Sequence, residues 1–233
     1  DIDPQTGESN FMFDLNPFTV EFYNDQAKLM DEVSYRCLYK NEPIEREGLL
    51  YTEDSIRRYF ALPDGEPELI DGQCDAKGKG TDFMVMPCFY KYGDDYYLED
   101  VVCSKESDYE VQYNALVNLV IRNKMQSAEF ESNMGGDRVA EETNKRVTEN
   151  GWLCNITTKA TESNKEARIY QTANWVKQHV LFKDKTQYDP KSAYGVFMSQ
   201  LLSYSVSGKN PNDDVPDVLA NFAIKTTGAG KTA

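Results

Sequence analysis

The chain has a single histidine in 233 residues, and that scarcity removes several chemistries at once. A Ser-His-Asp or Cys-His mechanism would have to run through His179 alone, and a histidine-based zinc hydrolase lacks its ligands. His179 lies in Trp175-Val176-Lys177-Gln178-His179-Val180-Leu181-Phe182, where a helix is expected to end and run into a short apolar strand. A structural or C-capping role is expected there. Cysteine is also scarce. Cys37, Cys74, Cys88, Cys103 and Cys154 are odd in number, form no CxxC pair and stand at no zinc-site spacing from the histidine. They read as buried thiols of a cytosolic protein. No apolar run approaches the roughly 20 residues of a membrane helix, and the acidic opening Asp1-Ile2-Asp3 has no signal-peptide pattern. Basic residues are outnumbered, 25 against 39 acids, for a net charge of −14. That balance argues against a general polyanion binder. The excess is uneven, however: residues 1–72 hold 17 acids and 6 bases, whereas 73–233 hold 22 and 19. A nucleic-acid site in the second part is disfavoured by charge but not excluded.

Hydrophobic content of 40% and aromatic content of 12% suffice for one fair-sized domain, or a domain with an extension. Residues 1–65 look irregular, punctuated by Asn16-Pro17, Glu42-Pro43 and Leu62-Pro63-Asp64-Gly65. Helices are expected over Asn24–Tyr39 and Thr52–Phe60. This stretch reads as a lead-in from something upstream. From about residue 66 the pattern becomes regular, with strands expected at about 67–75, 82–92 and 96–103 and a hairpin turn at Tyr92-Gly93-Asp94-Asp95. A helix follows at about Tyr109–Lys124, with Val111, Ala115, Leu116, Leu119 and Val120 as its apolar stripe. Then come a strand at 127–131, a charged helix at 137–149, a strand at 152–157, and helices at about 163–178, 192–205 and 213–225. Three hairpin-connected strands followed by alternating helix and strand predict an α/β fold, a mixed sheet flanked by helices. That order is the order of the ribonuclease H fold.

Carboxylates stand at telling places in this pattern. Asp75 ends the first strand and opens Asp75-Ala76-Lys77-Gly78-Lys79-Gly80-Thr81-Asp82. Glu131 ends the strand at 127–131, and Asp213, Asp214 and Asp217 open the last helix. Each is ordinary alone: an acid in a glycine-rich turn, or a helix cap and dipole partner. Glu129 shares a strand face with Glu131, but Glu131 is nearer the strand end, where sites in α/β sheets usually lie. In a ribonuclease H-like sheet the first and fourth strands lie side by side, so these acids would meet. Oxygen ligands of this kind suit Mg²⁺ or Mn²⁺, and two such ions can promote phosphodiester hydrolysis.

These runs resemble the nuclease domain of the large terminase subunit of tailed bacteriophages. Asp75 to Asp82 looks like the family's first acidic motif, Phe130-Glu131-Ser132-Asn133-Met134-Gly135-Gly136 like its second, and Asp213-Asp214-Val215-Pro216-Asp217-Val218-Leu219-Ala220 like its third. Lys165-Glu166-Ala167-Arg168-Ile169 with Val180-Leu181-Phe182, and the segment Tyr194–Leu202, resemble its intervening elements. The resemblance covers about residues 67–225, with a weaker echo at 35–60. It implies a metal-dependent endonuclease that cuts concatemeric double-stranded viral DNA using two Mg²⁺ or Mn²⁺ ions. It implies Asp75, Glu131 and Asp217 as catalytic metal ligands and Asp214 as a further ligand. Lys77, Lys79, Lys165 and Arg168 are the candidate contacts to DNA. It also implies a small terminase subunit and a portal or procapsid as partners, and a host bacterial cytoplasm as location. A resolvase- or transposase-type nuclease, and a non-catalytic docking module, are the competing readings. The family's phosphate-binding loop is not matched: in Gly228-Ala229-Gly230-Lys231-Thr232 the position that requires glycine is Lys225. No nucleotide binding is expected. The expected organisation is a lead-in from an upstream ATPase at 1–65, a nuclease domain at 66–225 and a flexible tail at 226–233.

Overall fold

The computed structural model describes residues 20–29, 35, 38–39, 48–76, 83–161, 163–207, 210 and 212–228. Its centre is a seven-stranded mixed sheet in the order β1-β7-β4-β3-β2-β5-β6. β2 (Leu69–Cys74), β3 (Met84–Tyr92) and β4 (Asp95–Ser104) form the antiparallel meander, and Gly93 turns the second hairpin at φ 59. On one side of it β5 (Ser127–Glu131) and β6 (Asn155–Lys159) add in parallel to β2. On the other side β7 (Val180–Lys183) pairs in parallel with β4 and with β1 (Arg57–Tyr59). This is the mixed, helix-flanked sheet expected from the order of elements.

Alternation along the strands divides the core in two. Ile70 and Cys74 of β2, Met84, Met86 and Cys88 of β3, and Ala128 and Phe130 of β5 face α2 (Tyr109–Arg122) and α3 (Gly136–Glu149). Val85, Phe89 and Leu98 face the other way, onto α4 (Lys165–His179), α5 (Ala193–Ser203) and α6 (Asp214–Thr227). A shift of register opposite Cys88 and Phe89 leaves Glu99 as an extra residue of β4, so that Leu98 and Val101 both face this second layer. Phe222 of α6 stacks on Phe89 at 4.1 Å and meets Tyr96 edge-on at 5.2 Å, which fixes that helix against the sheet.

Several boundaries differ from the sequence reading. The helix expected over Thr52–Phe60 is a single 3-10 turn, Glu53–Ser55, followed by strand β1. Long-range pairing overrides local propensity here: β1 completes the edge beside β7, Arg58 donates to the Lys183 carbonyl at 2.8 Å, and Ile56 and Tyr59 are buried. The sheet thus draws its edge strand from upstream of residue 66, and Leu50 and Tyr51 join the core. The helix expected at Asn24–Tyr39 starts earlier, as α1 (Val20–Leu29); most of residues 30–47 lie outside the described residues. In α2 the buried stripe runs through Tyr113, Leu116, Val117 and Val120, while Val111 is 49% exposed. The spacing 113/116/117/120 is the helical repeat that matters. The last helix continues through Thr227 to Gly228, a left-handed cap at φ 70, so it runs past residue 225. His179 ends α4, stacks on Trp175 and bonds the Asp94 carbonyl through Nδ1 at 3.0 Å.

Candidate metal centre

Three elements deliver one carboxylate each to a single point. Asp75 follows β2 and stays in register, its N–H donating to the Val85 carbonyl at 2.9 Å and its own carbonyl accepting from the Val85 N–H at 3.1 Å. Glu131 ends β5, which pairs directly with β2, Cys74 opposite Phe130. Asp217 lies in the first turn of α6. One oxygen from each of the three lies within 4.8 Å of the others. Among the described residues this is the one such group of three His, Cys, Asp or Glu side chains.

Each carboxylate is held by neighbours. Glu131 accepts from Asn133 Nδ2 at 2.8 Å and from Asn221 Nδ2 at 3.3 Å, so two amides set its plane. Its backbone is set by the glycine pair that follows. Gly135 adopts φ 96, and a Cβ on Gly136 would stand 1.8 Å from the Glu131 carbonyl oxygen. The Asn-Met-Gly-Gly run thus lets α3 start hard against the end of β5. Asp217 is buried, and Arg168 donates to its Oδ1 through Nε at 2.9 Å and Nη2 at 2.6 Å. The remaining arm, Nη1, donates to the Ser163 carbonyl at 2.8 Å. Lys165 Nζ stands 2.6 Å from Asp213, 3.5 Å from Asp214 and 3.6 Å from Asp217 Oδ2.

The electrostatics follow from this crowding. Burial, then the facing Glu131 and Asp217, push the Asp75 carboxyl up to about 8, with Lys165 opposing. Burial likewise raises Asp217 to about 6, against the pull of Arg168 and Lys165. Two acids raised in one place, with one neighbouring ammonium, form a site that favours added positive charge. Cys74, next in chain, is buried toward the opposite layer, where burial holds it as a thiol. The donor set is therefore oxygen alone, which fits a hard divalent cation and not a thiolate-loving one.

The other residues singled out from the sequence are placed differently. Asp214 is buried and its Oδ2 accepts the Phe83 N–H at 3.0 Å, which ties α6 to the start of β3; it is not one of the three converging acids. Asp213 takes the N-cap position of α6 without a side-chain cap bond and pairs with Lys165 instead. Arg168 is buried on Asp217, so its guanidinium faces the carboxylate and not solvent. Lys77, Lys79 and Asp82 lie outside the described residues. Sequence reasoning missed Asn221. Its signal was available: it stands four residues after Asp217, on the same face of one helix.

The fold is a ribonuclease H-like mixed sheet flanked by helices, with this acidic centre at the ends of β2 and β5. The family described as "Terminase Bacteriophage T7, Ribonuclease H-like domain" matches residues 74–181, just under half of the chain. Among solved structures, the large terminase of a thermophilic bacteriophage aligns at TM-score 0.56 and 12% identity, covering 91% of this chain and 53% of that one. The human cytomegalovirus terminase nuclease domain, soaked with Mn, aligns at TM-score 0.52 and 10% identity, covering 73% and 93%. The same domain with an inhibitor bound aligns at 0.53 and 10%, covering 77% and 97%. At such identities these likenesses speak for the fold. The chain spans about half the length of the phage large terminases it matches. No curated protein matches it. Among the described residues no helix is long and apolar enough to cross a membrane.

Proposed function

We propose that this domain is a metal-dependent endodeoxyribonuclease that cuts concatemeric double-stranded DNA during viral genome packaging. The observation that carries the proposal is the meeting of Asp75, Glu131 and Asp217 from three separate elements. A structural role would not require three acids to share one point, because burial and then the repulsion of Glu131 and Asp217 raise Asp75 and work against folding.

Asp75, Glu131 and Asp217 are the residues that would hold two Mg²⁺ or Mn²⁺ ions. Bound there, the ions would supply Lewis-acid stabilisation of the attacking and leaving oxygens of a phosphodiester. The protein's own part is positioning. Asn133 and Asn221 orient Glu131, and Arg168 holds Asp217 in place through Oδ1. Lys165, the exposed-side cation at this point, is the group placed to meet a backbone phosphate on arrival. Lys77 and Lys79, which follow Asp75 in the sequence, are proposed as a second phosphate contact. Asp214 is proposed to support the site from α6 through its bond to Phe83. The small terminase subunit and the portal or procapsid are the proposed partners, in the host cytoplasm. The residues upstream of 66 are proposed to lead in from an ATPase domain while also giving the sheet its edge strand β1, and the residues after Gly228 are proposed as the tail. Supercoiled plasmid with Mn²⁺ tests the central claim. The wild-type chain is expected to nick and linearise it, and Asp75→Ala to stop doing so; cleavage by Asp75→Ala at the wild-type rate overturns the assignment.

A further inference from the structure

Beside the acidic centre lies a cavity of about 450 Å³. Its floor is the sheet face that carries the site: Gln73 is two residues before Asp75 on β2, and Glu129 two before Glu131 on β5, directly opposite each other in the parallel ladder. One strand repeat, about 7 Å, therefore separates this floor from the metal ligands. Gln171 of α4 and Asn221 and Ile224 of α6 form the walls, and Leu29 of α1 closes the outer side. Asn221 belongs to both places, since its amide donates to Glu131.

The lining has a definite chemical character. Gln73 is 2% exposed, and among the described residues its Oε1 has no hydrogen-bond partner. A buried amide oxygen left in that state is unfavourable, and a ligand N–H would relieve it. Glu129 on the same floor adds acceptors only, and of the two cations in the lining Arg168 is already committed to Asp217 and Lys159 is exposed at the end of β6. Ile224 and Leu29 offer aliphatic surface across from these polar edges. Flat apolar faces with a hydrogen-bonding edge of N–H and acceptor groups are the properties of a nucleobase, and glutamine and asparagine amides are the side chains that match such an edge.

We propose that this cavity is a nucleobase subsite, receiving the unpaired base of a nucleotide next to the phosphodiester presented to Asp75, Glu131 and Asp217. The proposal rests on the nuclease reading above. Extruding a base costs free energy that depends on its stacking and pairing, so the subsite biases cutting toward steps that unstack easily. Contact through Asn221 links its filling to the orientation of Glu131.

The test uses the full chain and short DNA duplexes carrying 2-aminopurine at successive positions, held with Ca²⁺ and saturated as judged by anisotropy. A several-fold rise in fluorescence at one position is expected with the wild-type chain. Gln73→Met and Gln171→Ala are each expected to cut that rise by at least half; Gln171 is only half-buried, so its variant reads the cavity even if Gln73→Met fails to fold. Saturated binding with silent 2-aminopurine at every position, or a rise that both variants keep, overturns the subsite while plasmid cleavage stands. A chain that neither binds the duplex nor cuts plasmid overturns the nuclease reading, and the subsite with it.

Discussion

Asp71 and Asp75 lie along one extended segment and on one face, four residues apart, and they have opposite surroundings. Asp71 is buried, and its Oδ1 accepts from Lys225 Nζ at 2.6 Å, from Ser127 Oγ, and from the Gly72 N–H at 2.8 Å. One cation is committed to it, and that cation also reaches the Gly72 carbonyl at 3.1 Å. Asp75 instead faces Glu131 and Asp217, and its carboxyl is pushed up to about 8. The difference lies in what each acid must still find. A carboxylate with its charge matched and its lone pairs filled closes a structure, here pinning α6 to β2. One surrounded by its own kind is incomplete, and only an added cation completes it. A sequence shows two aspartates; their partners tell structural acid from candidate ligand.

Replacing each acid should split the two roles. Asp75→Asn is expected to reduce Mn²⁺-dependent plasmid cleavage on the order of a thousandfold, the scale of losing a group that stabilises charge in the transition state. Its thermal stability should hold or rise, since a crowded carboxylate is neutralised. Asp71→Ala should do the reverse. It strands Lys225, whose side chain is 20% exposed, and by the cost of breaking a buried pair should destabilise by about 3 kcal/mol. Cleavage per folded molecule should stay within about threefold, far inside the range that loss of a transition-state group covers. Chemical denaturation and a plasmid assay on the same preparations read both quantities. If Asp71→Ala abolishes cleavage in folded protein, the contrast between the two ends of β2 fails.

Arg168 sharpens the same contrast from the side of the cations. It differs from Lys225 in that its carboxylate partner keeps one oxygen turned to the shared point. Arg168→Gln is therefore expected to weaken Mn²⁺ dependence about 10- to 100-fold, as loss of a group orienting a ligand does. The measurement is the Mn²⁺ concentration giving half-maximal cleavage. A variant whose rate falls at all concentrations, with that midpoint unmoved, would make Arg168 a support for the fold alone.

How far these distinctions could be read from the sequence depends on the range of the forces behind them. Strand and helix order came through because hydrophobic alternation is local, and Asp75, Glu131 and Asp217 were visible as acids at the ends of such elements. The structure brings those three side chains together. Arg57–Tyr59 was misread as helix because its strand conformation comes from β7, more than a hundred residues away. Arg168 stood out as a basic residue on a helix, and nothing local says that it turns inward onto Asp217. Gln73 carries no charge and sits in no motif, so its place beside the site emerges only when β2, β5 and α6 meet, whereas Asn221 is signalled only by its helical spacing from Asp217. Partnership is the long-range property, and it separates Asp71 from Asp75.

The smallest effects belong to the two lysines, and they are the most discriminating. Lys225→Met keeps the length of the chain and removes one charge from Asp71, which retains Ser127 and the Gly72 N–H. The expected loss is about 1.5–3 kcal/mol, the worth of a hydrogen bond to a charged group, and it should not depend on divalent metal. Lys165→Met removes the ammonium shared by Asp213, Asp214 and Asp217, at a position 35% exposed. Its effect on metal-free stability should stay under about 1 kcal/mol, because solvent screens a half-open pair. On the proposed reading Mn²⁺ binds the folded chain and not the unfolded one, so it should raise the melting temperature. The rise should be larger in Lys165→Met than in wild type, since the cation enters without a competing charge. The comparison of interest is the difference of two shifts, measured by thermal unfolding with and without Mn²⁺. If Lys225→Met gains as much from Mn²⁺ as Lys165→Met does, then the Asp71 end also takes a cation, and the two aspartates of β2 are not different in kind.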